Sequence, residues 1–165
     1  SYSEELLRTL VQLPWVKCVK LGTREMNKYA RDIQAIRAGD PSVTILTCHD
    51  EYILPSMVQG VDGALVGFAS FIPDQITELY ACVKSGDLTR AMDIQNRINA
   101  LKDAVYGEGE PTGDAHARMK VAMVLTGRLG SYVTQPPIRE PDATTIDEIR
   151  KALTDAGMLA QQAAE

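Results

Sequence analysis

The sequence predicts an α/β fold: part of a larger parallel (β/α)8 barrel, here three strands and their helices, with a helical extension behind them. Three observations predict it. Short apolar, β-branched runs alternate with amphipathic helical segments over residues 1–71, and such alternation implies parallel strands joined by right-handed crossovers. From residue 72 onward the strand signal stops and only helical periodicity remains. Three parallel strands alone also make a poor sheet, because both faces need cover and the open edges expose unpaired backbone. The expectation is therefore the second part of a barrel whose earlier strands lie outside this sequence.

Each element has a local reason. Ser1 and Glu4 have capping-box spacing, and Leu6, Leu7, Leu10 and Val11 follow at helical spacing, which predicts a helix over 3–12 that Pro14 ends. Trp15 to Lys20 is an apolar run and reads as a buried strand. Residues 25–38 are charged and amphipathic, with Met26, Tyr29, Ile33 and Ile36 as one stripe, and Asp40-Pro41 is a turn. Ser42 to Cys48 is a second buried strand. His49 to Gln59 reads as a short helix stopped by Gly60, and Gly63 to Gly67 as a short third strand.

Pro73 near the first position opens the next helix, and Ser85-Gly86-Asp87 closes it. Residues 88–105 form another helix, 107–113 a loop, and 116–129 and 145–156 two more helices separated by Pro136-Pro137. Ala156-Gly157 ends the last, and Gln161 to Glu165 read as frayed. The chain divides at 71/72: barrel strands before, the last barrel helix and a C-terminal helical region after.

Composition narrows the function. Hydrophobic residues are 45% and charged residues 24%, ordinary for a globular domain. A net charge of −5 argues against a nucleic-acid partner. No apolar run approaches the roughly 20 residues that span a bilayer, so no membrane partner is expected. The first residues, Ser1-Tyr2-Ser3-Glu4-Glu5, lack the basic n-region of a signal peptide. Cys18, Cys48 and Cys82 are odd in number and widely spaced, which fits a reducing cytoplasm and single buried thiols.

The predicted strand ends carry the chemistry. The first closes on Lys20-Leu21-Gly22-Thr23, the second on Cys48-His49-Asp50-Glu51, the third on Gly67-Phe68-Ala69-Ser70. Parallel strands bring all three to one face, the face on which a barrel builds its active site. Lys20 is the candidate catalytic residue, since a lysine can form a Schiff base with a carbonyl substrate. Gly22, Thr23, Cys48, Asp50, Glu51 and Gly67 are candidate substrate-binding residues. A metal site is not expected, because consecutive residues such as Cys48 to Glu51 rarely converge on one ion. His116 reads as a surface or packing residue, and Met57, Met119 and Met123 as core filler.

Several of these segments, in this order, resemble the dihydrodipicolinate synthase and N-acetylneuraminate lyase family of Schiff-base aldolases. Val16-Lys17-Cys18-Val19-Lys20 is similar to its sixth strand, which ends in the Schiff-base lysine, and Cys48-His49-Asp50-Glu51 to the Gly-x-Asp-Glu segment of the lyase branch. Gln59 to Ala64 resembles the Gly-Ala-Asp-Gly approach to strand eight, and Phe71-Ile72-Pro73 the start of the next helix. Ser85-Gly86-Asp87 with Ala91, Lys120, and Gln135-Pro136-Pro137 match its C-terminal helical region.

The resemblance implies strands six to eight of the barrel, a Schiff base between Lys20 and pyruvate or another 2-keto acid, and an aldehyde made or consumed. It implies no metal or organic cofactor, the missing N-terminal half of the barrel as a partner, and a homo-oligomer, tetramer or dimer. The family's Gly-Thr-Thr carboxylate clamp and proton-relay tyrosine have no counterpart here, and Tyr2 is not that tyrosine. This half alone is therefore expected to be inactive. Asp50 and Glu51 would contact substrate hydroxyls by the resemblance, while carboxylates at helix starts also serve as caps; one residue can do each. Cys48 replaces a family glycine, Gly67 a serine of the lyase branch, and Leu21-Gly22 depart from the acidic or hydroxyl residues common after the lysine. These departures argue against sialic acid as substrate. A sugar-acid dehydratase or hydratase-aldolase, and a non-catalytic binding or assembly module, are the alternatives.

Overall fold

A computed structural model of the protein describes residues 2–107 and 113–159. The element order is α1 (Glu4–Leu10), β1 (Cys18–Leu21), α2 (Met26–Gly39), β2 (Thr44–Thr47), a 3-10 turn (Asp50–Tyr52), α3 (Ile53–Val58), β3 (Gly63–Ala64) and a second 3-10 turn (Gly67–Ser70). Then come α4 (Pro73–Ser85), α5 (Leu88–Asn99), α6 (Lys102–Tyr106), α7 (Gly113–Leu125) and α8 (Ala143–Asp155). The three strands are parallel, in the order β1-β2-β3. Lys20 pairs with Leu46, and Leu46 with Gly63. The expected α/β alternation is therefore present as a small parallel sheet with helices packed against it.

The first correction is the start of α1. Ser3, not Ser1, is its N-cap, and its hydroxyl oxygen accepts the Leu6 N–H at 3.2 Å; Ser1 lies outside the described residues. So do most of the expected 107–113 loop and the frayed end at 161–165. β1 begins three residues later than expected, because the Val16 N–H turns back to the Leu13 carbonyl at 3.0 Å and leaves Trp15 74% exposed.

The strands are also not buried on both sides. Leu21, Ile45 and Thr47 face the helices and are buried, whereas Cys18, Lys20 and Thr44 alternate with them and are exposed. Of the three thiols only Cys82 is buried; Cys18 is exposed and Cys48 half-buried. Met26 leaves the α2 stripe for solvent, while Tyr29, Ile33 and Ile36 hold it.

Further differences follow from local chemistry. The expected 49–59 helix splits at Tyr52, and Pro55 sits in the first turn of α3, where its missing N–H costs nothing. The third strand is shorter than expected because Gly67 opens a 3-10 turn. The 88–105 helix breaks at Ala100-Leu101 into α5 and α6, so five α-helices rather than four follow β3 among the described residues. The α4 stop is as expected: Gly86 has φ 81°, and the Asp87 N–H reaches the Cys82 carbonyl at 2.9 Å. No helix among the described residues is long and apolar enough to cross a membrane.

One contiguous core runs from Leu7 and Val11 of α1 to Ile149 and Leu153 of α8, and takes in the sheet's covered face. Met57 is buried in it, and Met119 and Met123 pack against it. His116 is exposed. At the end of the sheet away from Lys20, Arg37 ties the layers together. Its guanidinium donates to the Val43 carbonyl at 2.8 Å and to Asp62 Oδ2 at 2.6 Å, and the same Asp62 oxygen accepts the Ile45 N–H at 2.7 Å.

The α1–α2 contact gives a prediction whose sign opposes helix propensity. Replacing glycine by alanine inside a helix ordinarily stabilises by about 1 kcal/mol. A Cβ on Gly39, however, would stand 2.5 Å from Val11 Cγ2 and 2.7 Å from the Arg8 carbonyl oxygen. Gly39→Ala is expected to destabilise the protein by about 1–3 kcal/mol, read as a lower urea midpoint; an unchanged or higher midpoint contradicts the close approach.

Candidate active site

Residues that alternate along the three strands form one uncovered face. Lys20, Leu46 and Gly63 make a row across the sheet by register. One step beyond, Gly22 and Cys48 face each other: a Cβ on Gly22 would lie 3.3 Å from Cys48 Sγ. The Leu65 N–H donates to the Thr47 carbonyl at 2.9 Å, which extends the ladder toward Gly67. Gly63 is level with Lys20 on this face, and Leu65, two residues on, is exposed; at Gly67 the chain has entered a 3-10 turn, and a Cβ there would meet Tyr106 and Met119. A groove of about 260 Å³ lies at the free edge of β1, lined by Lys20 and Gly22 and, from the covered side and the helices, by Leu7, Val19, Leu21 and Asp32. Burial pushes the Cys48 thiol up, against the positive charges of Lys20 and Arg24, so it stays protonated at neutral pH.

The rim of this face is held by contacts between the loop after β1 and the turn after β2. Arg24 Nη1 meets Glu51 Oε1 at 2.6 Å, with the Glu51 side chain only 11% exposed. His49 is buried, and its Nε2 lies 3.1 Å from the Thr23 carbonyl oxygen. A carbonyl can only accept, so Nε2 carries the proton. Its edge also packs on Tyr52.

Asp50 points elsewhere. It is 2% exposed. Its Oδ1 accepts the Phe68 N–H at 2.9 Å, and its Oδ2 accepts a hydrogen bond from the Tyr106 hydroxyl. Gln95 Nε2 donates to the Asp50 carbonyl at 2.9 Å, while Gln95 Oε1 accepts the Leu54 N–H at 2.9 Å. Asp50 does not cap the helix that follows it, which has no side-chain cap; its carboxylate holds the Gly67–Ser70 turn after the next strand. Burial raises its carboxyl, and the donors Tyr106 and Phe68 partly offset that rise. Burial and the Asp50 charge together push the Tyr106 phenol far up, so it remains a donor.

Lys20, Gly22 and Cys48 thus share one face, while Gly67 stands in the turn beyond β3 against Tyr106 and Met119 of the helical layer. Thr23 reaches the cluster through its carbonyl, Glu51 stands paired at the rim, and Asp50 is drawn into the helical layer. The side chains of His49, Asp50 and Glu51 diverge to Thr23, Tyr106 and Arg24. Among the described residues no group of three metal-capable side chains converges. Sequence reasoning passed over Tyr106, Gln95 and Arg24. Only Gln95 left a signal: it interrupts an apolar stripe, Ala91, Ile94 and Ile98, and is itself buried. Tyr106 and Arg24 sit in segments with no marking period.

The sequence matches the dihydrodipicolinate synthetase family over residues 2–156. It is 27% identical over 127 residues to the probable 2-dehydro-3-deoxy-D-pentonate aldolase of Escherichia coli K12, covering 77% of this chain and 41% of that protein. It is 30% identical over 151 residues to a 4-hydroxy-tetrahydrodipicolinate synthase of Acidiphilium cryptum, covering 92% and 49%. Among solved structures, a prophage protein of the dihydrodipicolinic acid synthase family from E. coli K12, in complex with pyruvate, superposes with a TM-score of 0.84 at 20% identity, over 94% of this chain and 51% of that one. The N-acetylneuraminate lyase of Fusobacterium nucleatum superposes with a TM-score of 0.79 at 19% identity, over 97% and 51%. The chain spans about half the length of the curated relatives it matches.

The buried Asp50 predicts a pH dependence. A carboxyl whose folded pKa is raised binds its proton more tightly when folded. It therefore favours the folded state below its ordinary value of 3.8, and that contribution is lost as pH rises through the raised value. Asp40, Asp62 and Asp142 are lowered and act in the opposite sense. In Asp50→Asn those three remain and the Asp50 contribution disappears. Across that window the urea midpoint of the unsubstituted protein should fall relative to that of Asp50→Asn; parallel curves contradict the burial.

Proposed function

The chain belongs to the dihydrodipicolinate synthetase family, and from that premise we propose that it supplies the Schiff-base lysine of a class I aldolase or lyase acting on pyruvate or another 2-keto acid. Lys20 is the nucleophile. The observation that carries this reading is its place, exposed at the C-terminal end of a parallel strand on one face with Gly22 and Cys48, with Gly67 in the turn that follows the third strand. The strands are read as the sixth to eighth of a complete (β/α)8 barrel. Residues 1–71 carry the strand ends, and residues 72–165 the helices behind them. A pyruvate-bound structural neighbour and a relative named as a probable deoxy-pentonate aldolase support a keto acid as substrate.

The amine attacks in its neutral form. The nitrogen adds to the keto carbon, and the resulting carbinolamine loses water to give an iminium. In the cleavage direction a base takes the proton from the substrate hydroxyl, the adjacent carbon–carbon bond breaks, and its electrons pass to the iminium nitrogen as an enamine. The aldehyde leaves, the enamine is protonated on carbon, and hydrolysis frees the keto acid. The iminium is the electron sink, so the reaction uses no metal or organic cofactor. Gly22 and Thr23 border the keto-acid end, and Cys48 narrows the pocket beside them. Glu51, held by Arg24, contacts hydroxyls of the aldehyde portion. The complete enzyme is a cytoplasmic homo-oligomer, tetramer or dimer.

Borohydride reduction in the presence of pyruvate tests the reading. In the complete protein Lys20 should become an N-(1-carboxyethyl)lysine, the reduced pyruvate adduct, located by peptide mass spectrometry, and Lys20→Arg should gain nothing. An unmodified Lys20 in the folded protein sinks the proposal and assigns the chain to a binding or assembly module.

A further inference from the structure

We propose that the cleft between α2 and α3 is a second binding site, for a small neutral hydroxylic molecule such as a short-chain alcohol or diol, held by the Tyr29 hydroxyl and the Gln59 side-chain carbonyl. Neither Lys20 nor Cys48 lines this cleft, and the site stands independently of the Schiff-base reading.

The Tyr29 hydroxyl and Gln59 Oε1 are the two buried side-chain polar atoms among the described residues that have no hydrogen-bond partner. Tyr29 stands on α2 and Gln59 just after α3, and both residues line the same cleft of about 60 Å³. A buried phenol or amide oxygen without a partner forfeits the hydrogen bonds that water would give it, so an orphaned pair at one cleft points to an occupant. Tyr29 is 5% exposed. Its hydroxyl can donate or accept, whereas an amide oxygen only accepts. The complement is a group that donates to Gln59 and shares a hydrogen bond with Tyr29, which a hydroxyl or a vicinal pair of them does.

The other polar groups of the wall are engaged. His49 Nε2 donates to the Thr23 carbonyl at 3.1 Å, and Ser56 Oγ shares a hydrogen bond with Thr47 Oγ1 at 3.1 Å. The charged member of the wall, Arg24, is paired with Glu51 at 2.6 Å, so the ligand is neutral. Met26 and Pro55 offer an apolar surface to a methyl or methylene end. At roughly 10–15 Å³ for each water-sized centre, the cleft takes about four or five non-hydrogen atoms, the size of propane-1,2-diol. Thr23, Arg24 and His49 also tie the loop after β1 to the turn after β2, so an occupant bears on the rim of the Lys20 face without entering it.

Titration of propane-1,2-diol into the isotope-labelled complete protein tests the site. The amide signals of Thr23, Arg24, His49 and Ser56 should shift saturably, with a Kd on the order of 1–10 mM for a ligand of this size. In Tyr29→Phe, which loses one oxygen and keeps the ring, the Kd should rise roughly fivefold or more. Shifts that grow linearly without saturation mean that water alone serves the two oxygens, and they overturn the proposal. So does an affinity unchanged in Tyr29→Phe. If that variant fails to fold, Gln59→Met, on a half-buried side chain, is read in the same way: a weakened affinity supports the site, and an unchanged one counts against it.

Discussion

Parallel pairing of three short strands is the constraint from which the rest of the structure follows. Parallel neighbours in register place every second residue on the same side, so Lys20, Leu46 and Gly63 form a row, and Leu21, Ile45 and Thr47 face the opposite way. The helices cover only that opposite face, and the apolar residues there are fully withdrawn from water. The open side of the sheet, where Lys20 stands, is therefore defined by what the core leaves uncovered. At one end of the strands Arg37 and Asp62 fasten backbone to helix. At the other end the loops carry Thr23, Glu51 and Gly67. This division between a stabilising end and a reactive end is the one that barrels use generally.

The helical region does more than complete the core. Through Gln95 and Tyr106 it grips Asp50, and through Asp50 it holds the turns that follow both β2 and β3. A buried carboxylate is costly unless its oxygens are bonded, and here both are. The Tyr106 hydroxyl fills the space that a side chain at position 67 would need.

Much of this was legible in the sequence, and the reasons are local. Apolar runs marked three strands, the third short and small-residued, and helical spacing marked the helices around and after them. Gly86 and Pro73 punctuated α4 because the backbone chemistry of a cap and a first turn is a property of one residue. The placement of Lys20 at a strand end needed only that the strand be found. The boundaries went astray where a neighbour intervened: Trp15 left its strand for a turn, and α5 broke from α6 at Ala100.

The sequence by itself determined the kinds of elements, their order, and which side chains stand at and just beyond the strand ends. Only the tertiary structure decided where the Cys48 to Glu51 run would point. His49 is tied to Thr23, Glu51 to Arg24, and Asp50 to Tyr106, 56 residues away. A periodic pattern reports which face of its own element a residue occupies. It holds no information about which distant donor will stand opposite, because that is fixed only when the layers pack and each buried polar atom must find a partner.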